Sequence, residues 1–238
     1  MLLRAHYEPD FSSNRGGKMQ PRRDLCIMIG KDRRRGIAMT DEVIECGLDA
    51  KPDIVDDDQS LVSAAQQDPQ AAGKLYDKYY REIFGYVYRC TLDHAATEDL
   101  TSNVFLAAFR HLGRFRWRQI PFRAWLYRIA TNEIRMHHRR HRWAKAAGFQ
   151  GQLGEREGAA PAADEPPAAA EEFRLLHEAL RELKLKYRTV IVLRYFEDKT
   201  IAEIAEITGA REGTIKSQLH RGLAQLQEIL TRWDVLPK

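Results

Sequence analysis

The apolar residues near the C-terminus recur every three or four positions in two runs, which predicts two helices joined by a tight turn. The first run spans 201–207, and Thr200 with Glu203 three residues later has the spacing of a capping box. Gly209 follows this run, and glycine readily takes the left-handed conformation that ends a helix. The second run covers about 211–230. The pattern predicts a helix-turn-helix.

The residues of the second predicted helix that lie off its apolar stripe are short or polar, and several are basic. They include Arg211, Glu212, Thr214, Lys216, Ser217, His220 and Arg221. A slim, polar and positive face suits the major groove of duplex DNA, which is about 12 Å wide. We therefore predict that this helix reads duplex DNA, with Gly213 allowing close approach. The alternative is an ordinary helical hairpin whose polar face is only hydrated.

Apolar residues at helical spacing also predict three helices between residues 59 and 112. Asp68-Pro69 marks the boundary between the first two, because proline is tolerated in the first turn of a helix. The second predicted helix, 70–90, is rich in aromatic residues, for which packing in a hydrophobic core is the simplest role. The third, 95–112, keeps a polar strip that by itself indicates only hydration.

Basic and aromatic residues alternate from Arg114 to Arg118, in a loop predicted by its glycine and proline residues. A long helix is predicted to follow over 123–142. Its outward side is predicted to carry Arg128, Thr131, Asn132, Arg135, His138, Arg139 and Arg142. Because aromatic faces stack on unpaired bases and arginine binds phosphates, we predict a groove for single-stranded or locally opened nucleic acid. The alternative is a hydrated, arginine-rich helix with Trp117 and Trp125 in the hydrophobic core.

Glycine, proline and alanine replace the helical pattern between residues 144 and 171, which predicts a flexible linker. The fold class is therefore predicted as all-α, with two small helical domains, 59–143 and 172–232, joined by this linker. Residues 1–58 have opposed blocks of charge and little periodicity, so we expect a disordered N-terminal extension. Met19, Met28 and Met39 within it are alternative starts of translation, and the segment from Met39 resembles a natural beginning.

Charge is concentrated in one segment rather than high overall. The 238 residues carry a net charge of +4, yet Arg110 to Trp143 contains ten arginines and one acidic residue, Glu133. Clustered arginine interleaved with aromatic residues favours nucleic acid as a partner. No apolar run approaches the length of a membrane span, and residues 1–10 lack the apolar core of a signal peptide. We therefore expect a cytoplasmic protein without membrane insertion.

The residues that commonly bind metals do not form a set in this sequence. The three cysteines, Cys26, Cys46 and Cys90, include no Cys-x-x-Cys pair, which disfavours a disulfide framework and a cysteine-rich zinc site. Three histidines lie within 137–141, but their neighbours are arginines and no carboxylate or cysteine completes a ligand set. We expect no metal and no other cofactor.

Three segments, in this order along the chain, resemble motifs of one protein family. Residues 99–106 resemble its core-polymerase-binding helix, 122–132 its promoter-melting segment, and 188–221 its fourth domain. The sequence thus resembles a sigma-70-family initiation factor of the extracytoplasmic-function group, which has only the second and fourth sigma domains. The similarity covers about residues 60–230 apart from the linker.

The resemblance implies a role for each segment. Contact with core RNA polymerase is implied for Asp99, Leu100, Val104, Phe105 and Leu106. Binding and melting of the downstream (−10) promoter element are implied for Phe115, Trp117, Arg118, Gln119, Arg128, Asn132, Arg135, Arg139 and Arg140. The polar residues of the helix-turn-helix would bind the upstream (−35) element. The implied partners are core polymerase and promoter DNA; the family also includes members held by anti-sigma factors, and no catalytic activity is implied.

Two other classes of protein stay open on the residues alone. A conventional helix-turn-helix regulator would bind duplex DNA without polymerase and would not need the segment from Arg114 to Arg118. An enzyme acting on nucleic acid would need clustered carboxylates or metal ligands in its folded part. Asp56-Asp57-Asp58 is the only acidic cluster, and we predict that it is hydrated within the N-terminal extension.

Overall fold

The computed structural model describes residues 55–117, 120–148 and 167–233, and every regular element within them is an α-helix. In chain order the helices are α1 (Val55–Gln67), α2 (Pro69–Thr91), α3 (His94–Leu112), α4 (Phe122–Ala146), α5 (Pro167–Glu182), α6 (Leu185–Tyr195), α7 (Ile201–Thr208) and α8 (Glu212–Arg232). The predicted all-α class is confirmed. Most of the predicted N-terminal extension and of the predicted linker lies outside the described residues.

Helices α1 to α4 form an N-terminal module whose turns are fixed by local hydrogen bonds. Asp68 accepts a hydrogen bond from the backbone N–H of Gln70 at 2.9 Å, and Asp93 accepts one from that of Ala96 at 3.0 Å. Such N-caps satisfy backbone donors that have no partner within the helix. The hydrophobic core of this module includes the buried Leu75, Ile83, Tyr86, Val104, Phe122, Leu126 and Tyr127. The aromatic stripe of α2 is therefore mainly structural.

The first helix contains a buried acidic residue, Asp58. Asp58 is only 4% exposed, its carboxylate lies 2.8 Å from the Lys78 ammonium, and it accepts a hydrogen bond from the Tyr79 hydroxyl. The prediction that Asp58 is hydrated in a tail is wrong. A run of carboxylates indicates hydration only when no partner is near, and here α2 brings an ammonium and a phenol to it.

Helices α5 to α8 form a C-terminal module that contains the predicted helix-turn-helix. Thr200 and Glu203 make both hydrogen bonds of a capping box at the start of α7. Gly209 ends α7 with a φ of 70°, in the left-handed region that favours glycine. Arg211 is the N-cap of α8. Apolar residues of all four helices fill the hydrophobic core, including Leu180, Ile191, Leu193, Ile204, Ile207, Ile215, Leu219 and Leu226.

The two modules contact each other directly, a contact that no pattern in the sequence predicts. Helices α2 and α4 lie against α6 and α7. Arg188 of α6, only 9% exposed, donates to the backbone carbonyl of Cys90 in α2 at 2.7 Å. The same guanidinium donates to the carbonyl of Leu180 at 2.8 Å in its own module. Backbone carbonyls therefore satisfy the buried guanidinium and join the modules.

Candidate DNA and polymerase interfaces

The residues predicted to read duplex DNA lie together at the exposed start of α8. Of the seven, Lys216 is half-buried and the other six are exposed. Ile215 and Leu219, on the opposite side, are fully buried and fix the orientation of the helix. The Ser217 hydroxyl donates to the carbonyl of Gly213 at 2.8 Å, which leaves its oxygen able to accept a hydrogen bond. The positive end of the helix dipole lies at this same N-terminus and favours phosphate.

A second basic face runs along α4. Its exposed members from the predicted set are Arg128, Asn132, Arg135, Arg139 and Arg140. Spacings of three, four and seven residues place Arg128, Asn132, Arg135 and Arg139 on one side of the helix, and Arg140, next to Arg139, lies at the edge of that side. Arg135 is the member engaged by the other module, because its Nη1 donates to the carbonyl of Thr208 at 3.0 Å. The exposed face of α4 is therefore a strip of mainly basic side chains, and the C-terminal end of α7 contacts this strip at Arg135.

Thr131 does not lie on this face, and the prediction that it points outward is wrong. It is 1% exposed, its Oγ1 lies 2.8 Å from the Tyr86 hydroxyl, and it donates to the carbonyl of Tyr127 at 2.7 Å. Thr131 directly follows Ala130, a buried residue of the apolar stripe of α4. A threonine can be buried there because the carbonyl one turn earlier satisfies its hydroxyl.

The aromatic residues before α4 are divided between the hydrophobic core and the surface. Phe115 is 9% exposed, and its ring centroid lies 5.0 Å from that of Trp125 and 5.5 Å from that of Phe122. Trp117 is half-buried, and its indole N–H is buried without a hydrogen-bond partner among the described residues. Base capture by Phe115 or Trp117 stays a prediction. In this conformation the Phe115 ring packs against Trp125 and Phe122 and so attaches the loop to the hydrophobic core. Arg118 and Gln119 lie outside the described residues.

The five residues predicted to contact polymerase occupy two environments on α3. Leu100, Val104 and Phe105 are at most 5% exposed and belong to the hydrophobic core. Asp99 is exposed, and Leu106 is 59% exposed. Only these two are available to a partner without rearrangement. An isolated exposed leucine is common, but one beside other exposed apolar groups is typical of a protein-binding surface.

Tyr76 provides such an apolar neighbour, although core packing was the role predicted for the aromatic residues of this helix. It is 37% exposed, and its ring centroid lies 4.7 Å from that of Phe105 and 5.0 Å from that of Tyr80. Tyr76, Tyr80 and Phe84 recur every four residues, a spacing that places them on one face of α2. That spacing indicates an aromatic face on α2. Only the packing of Tyr76 against Phe105 shows that this face lies against α3, the helix that carries the exposed Leu106.

Buried charges meet where the modules contact each other, in a group that we call the Glu197 cluster. Glu197, which follows α6, is 8% exposed; it accepts hydrogen bonds from Arg89 Nη1 at 2.7 Å and from the Tyr127 hydroxyl at 2.5 Å. The Lys199 ammonium lies 4.7 Å from the centroid of the Tyr127 ring. Burial raises the pKa of the Glu197 carboxyl, although the Arg89 guanidinium opposes this shift. Burial likewise lowers the pKa of Lys199.

Other described titratable groups with shifted pKa values include Cys90 and His137. Burial raises the pKa of the Cys90 thiol to about 12, so the thiol stays protonated and weakly nucleophilic. Burial, followed by the charge of His141, lowers the pKa of His137. No three His, Cys, Asp or Glu residues are grouped to hold a metal ion in the part of the chain that the structure describes. Among the described helices, none combines the length and apolarity needed to cross a membrane.

The order of the two modules corresponds to two known domain families. Residues 75–144 match the model of sigma-70 region 2, and residues 173–226 match that of sigma-70 region 4. The first match covers the exposed Tyr76, Asp99 and Leu106 and the basic face of α4. The second covers the helix-turn-helix. Together they define the class of the sigma-70 initiation factors.

Relatives narrow this class to one group. The chain is 34% identical over 161 residues to the ECF RNA polymerase sigma factor SigL of Mycobacterium tuberculosis. The aligned residues cover 68% of this chain and 89% of SigL. The chain is 32% identical over 171 residues to the ECF RNA polymerase sigma factor BldN of Streptomyces coelicolor, covering 71% of this chain and 64% of BldN. The chain belongs to the extracytoplasmic-function (ECF) group of the sigma-70 family, and it is an RNA polymerase sigma factor.

Solved structures share the fold. The sigma factor RpoE, solved in complex with the anti-sigma factor NepR from Bartonella quintana, matches with a TM-score of 0.56 at 22% identity, covering 67% of this chain and 96% of RpoE. CnrH, solved in complex with the cytosolic domain of CnrY, matches with a TM-score of 0.56 at 23% identity, covering 74% of this chain and 99% of CnrH.

Proposed function

We propose that the two modules of this sigma factor divide promoter recognition between them. The N-terminal module, α1 to α4, binds core RNA polymerase through the exposed Asp99 and Leu106 of α3 and the neighbouring Tyr76, and it binds the opened downstream element through α4. The C-terminal module, α5 to α8, binds the upstream element through the start of α8. The observation that carries the proposal is the presence of two separate exposed basic faces. A regulator that reads duplex DNA with one helix needs only one of them.

The chemistry of the α4 face suits opened DNA. Taking a base out of the stack costs a few kcal/mol, and stacking on an aromatic ring returns roughly 1–3 kcal/mol per base. Trp117 supplies a half-buried ring, and its indole N–H, which is buried without a partner among the described residues, can reach a base only when the loop moves. Asn132 supplies an exposed amide that both donates and accepts. The arginines around Asn132 supply contacts to phosphate.

We further propose that the chain acts in the cytoplasm as a dissociable, non-catalytic subunit of the polymerase. Its partners are core RNA polymerase and promoter DNA. The similar sigma factors RpoE and CnrH were solved with NepR and the cytosolic domain of CnrY, respectively, which supports an anti-sigma factor as a further partner of this chain. The linker, predicted over 144–171, lets the modules reach two separate DNA elements.

Run-off transcription with purified core polymerase tests the proposed function. Polymerase plus the full chain is expected to give transcripts that start at defined positions on genomic fragments, whereas polymerase or chain alone gives none. Footprinting of duplex DNA by the chain alone, with no transcript from any fragment, would instead support a conventional helix-turn-helix regulator.

The role of α4 is tested by Asn132→Ala. We expect reduced promoter opening, measured by permanganate reactivity of unpaired thymines, because an exposed polar group that contacts a flipped base is lost. Affinity for core polymerase is expected to stay unchanged. The matched control is Gln67→Ala, an exposed amide in α1. Equal loss of opening and polymerase binding in Asn132→Ala would contradict a specific role in melting.

The role of α8 is tested by Arg221→Ala. If Arg221 contacts phosphate, Arg221→Ala should weaken binding to every duplex sequence. The slope of log affinity against log salt concentration should become shallower by about one, because about one fewer counterion is released on binding. Lys184→Ala is the matched control, because Lys184 is an exposed cation of the same module outside α8. An unchanged salt dependence in Arg221→Ala would exclude the phosphate contact.

A further inference from the structure

Helix α1 packs on α2 and ends beside the loop that precedes α4. Near the start of α1, the buried Asp58 carboxylate is paired with polar groups of α2. Further along, Val62 and Ala65 are 4% and 7% exposed and belong to the hydrophobic core. These contacts fix the helix before its last two residues. Helix α1 also precedes residue 75, where the match to sigma-70 region 2 begins.

Gln66, in the last turn of α1, connects this helix to the loop. Its Nε2 donates to the backbone carbonyl of Leu112 at 2.9 Å and to that of Phe115 at 3.0 Å. The two acceptors lie 46 and 49 positions away along the chain. Because the amide nitrogen carries two hydrogens, it can make both bonds at once. One side chain of α1 therefore holds both the last residue of α3 and the loop that follows it.

Phe115 is held in this loop through several of its groups. Its ring is 9% exposed and packs in the hydrophobic core. Its carbonyl accepts from Gln66 and also from Arg116 Nη1 at 3.1 Å. Its backbone N–H donates to the carbonyl of Leu112 at 3.0 Å. The start of the loop is thus fixed by a ring, a carbonyl and an N–H.

Trp117 follows two residues after this fixed point. Its ring centroid lies 5.6 Å from that of Phe115, and its indole N–H is buried without a partner among the described residues. The indole must move before a base can reach this N–H. Movement about a fixed Phe115 samples few orientations, whereas movement of the whole loop samples many. Since ordering a loop on binding costs free energy, attachment of one end lowers the cost of base capture.

A simpler role for Gln66 is to cap the end of α3. The last carbonyls of a helix have no partner within the helix, and Leu112 provides one of them. The bond to Phe115 goes further, because this acceptor lies in the loop, three residues beyond the end of α3. A cap alone stabilises the module, whereas the second bond also sets the position of the loop.

We propose that Gln66 is a positioning residue for promoter opening, which holds the start of the loop and thereby orients Trp117 toward the opened strand. Gln66 acts through the loop and not through a contact of its own with DNA. The attachment of the loop follows from the two hydrogen bonds, whereas its effect on opening rests on the proposed function.

Paired variants of the full chain at positions 66 and 67 isolate the two hydrogen bonds. Gln66→Glu keeps the shape of the side chain and replaces the donating amide by a carboxylate, which only accepts. Gln67→Glu places the same charge on the next residue, which is also an exposed glutamine. Gln66→Lys supplies an ammonium that can donate to both carbonyls, and Gln67→Lys is its control. Gln66→Ala and Gln67→Ala form a pair that adds no charge.

Hydrogen exchange measured by mass spectrometry tests the attachment in the free chain. The amides of Arg114 and Phe115 donate to the carbonyls of His111 and Leu112, both at 3.0 Å, so a peptide over 112–117 reports on the turn. Exchange should be about threefold to tenfold faster in Gln66→Glu and Gln66→Ala than in their controls, the factor expected for a lost hydrogen bond. Gln66→Lys should match Gln67→Lys. Equal exchange within the glutamate and alanine pairs would overturn the proposal.

Permanganate reactivity of unpaired thymines, followed over time with core polymerase, tests the effect on opening. Gln66→Glu and Gln66→Ala should open the promoter about threefold to tenfold more slowly than their controls, and Gln66→Lys should open it at the rate of Gln67→Lys. Affinities for core polymerase and for upstream duplex DNA should stay equal within each pair. Faster exchange with unchanged opening, or a loss of polymerase affinity as large as the loss of opening, would overturn the positioning role.

Folding and the proposed function are checked separately. Because Gln66 is exposed, its substitution leaves the hydrophobic core intact, and far-UV circular dichroism with the unfolding midpoint verifies this. Should Gln66→Glu fail to fold, the alanine pair decides the result. A parent chain that opens promoters, with no difference within the glutamate and alanine pairs, would refute this inference alone. Absence of opening by the parent chain would refute the proposed function and the positioning role together.

Discussion

Leu106 and Val104 lie two positions apart on α3, and their substitution separates polymerase binding from folding. Leu106 is 59% exposed, whereas Val104 is fully buried. Both belong to the segment that resembles a polymerase-binding helix. If Leu106 is a contact and Val104 only supports it, Leu106→Ala should weaken binding without affecting stability, and Val104→Ala should reduce stability first.

The magnitudes follow from the exposed fractions. Complete burial of a leucine side chain stabilises by about 1.5–3 kcal/mol, and 59% of Leu106 is still exposed in the free chain. Burial of that part against polymerase is worth about 1–2 kcal/mol, so Leu106→Ala should raise the Kd about fivefold to thirtyfold. Its effect on the free energy of unfolding should stay within about 0.5 kcal/mol. Val104→Ala removes two buried methyl groups and should cost about 2 kcal/mol of stability.

Two measurements decide the outcome. Fluorescence anisotropy of a labelled chain titrated with core polymerase gives the Kd, and urea unfolding gives the free energy of unfolding. Wild-type affinity in Leu106→Ala would refute the assignment of this surface. A loss of stability in Leu106→Ala as large as that in Val104→Ala would refute the reasoning from exposure.

Two further predictions concern stability. A Cβ at Gly222 would lie 3.0 Å from Ile191 Cδ1 and 3.1 Å from Tyr187 Cβ. Gly222→Ala should therefore lower the free energy of unfolding by up to about 2 kcal/mol, because the cost of overpacking exceeds the gain in helix propensity. Burial and His141 lower the pKa of His137 below its ordinary 6.5, so the unfolded chain binds protons more readily than the folded one. Stability is then complete above about pH 6.5 and falls as the pH decreases through that value toward the lowered pKa, and His137→Gln should reduce the fall in the thermal midpoint.

Matched variants control both stability measurements. Gly213→Ala is the control for Gly222→Ala, because a Cβ at Gly213 has no atom within 4 Å and should not destabilise the helix. His111→Gln is the control for His137→Gln, because His111 is exposed. Equal stability of the two alanine variants, or equal pH dependence of the two glutamine variants, would contradict the respective argument.

Local patterns were sufficient to predict much of this protein. The capping box at Thr200, the left-handed Gly209 and the exposed polar face of α8 all depend on residues within a few positions of each other. Helical periodicity likewise predicted the three helices between residues 59 and 112, the long helix that follows residue 122 and the two helices of the helix-turn-helix to within a few residues. Three motifs in order then resembled a single family, and the matches to sigma-70 regions 2 and 4 confirm that family.

The sequence by itself therefore determined the helices, the helix-turn-helix and the family, because these depend on short-range spacing. Only the tertiary structure decided which polar residues are buried and with what partners. Asp58 meets a phenol 21 positions away, and Glu197 meets Tyr127 and Arg89 at separations of 70 and 108 positions. A carboxylate in a sequence carries no mark of such a distant donor. Hydration or burial of the charge depends on which helices pack against it.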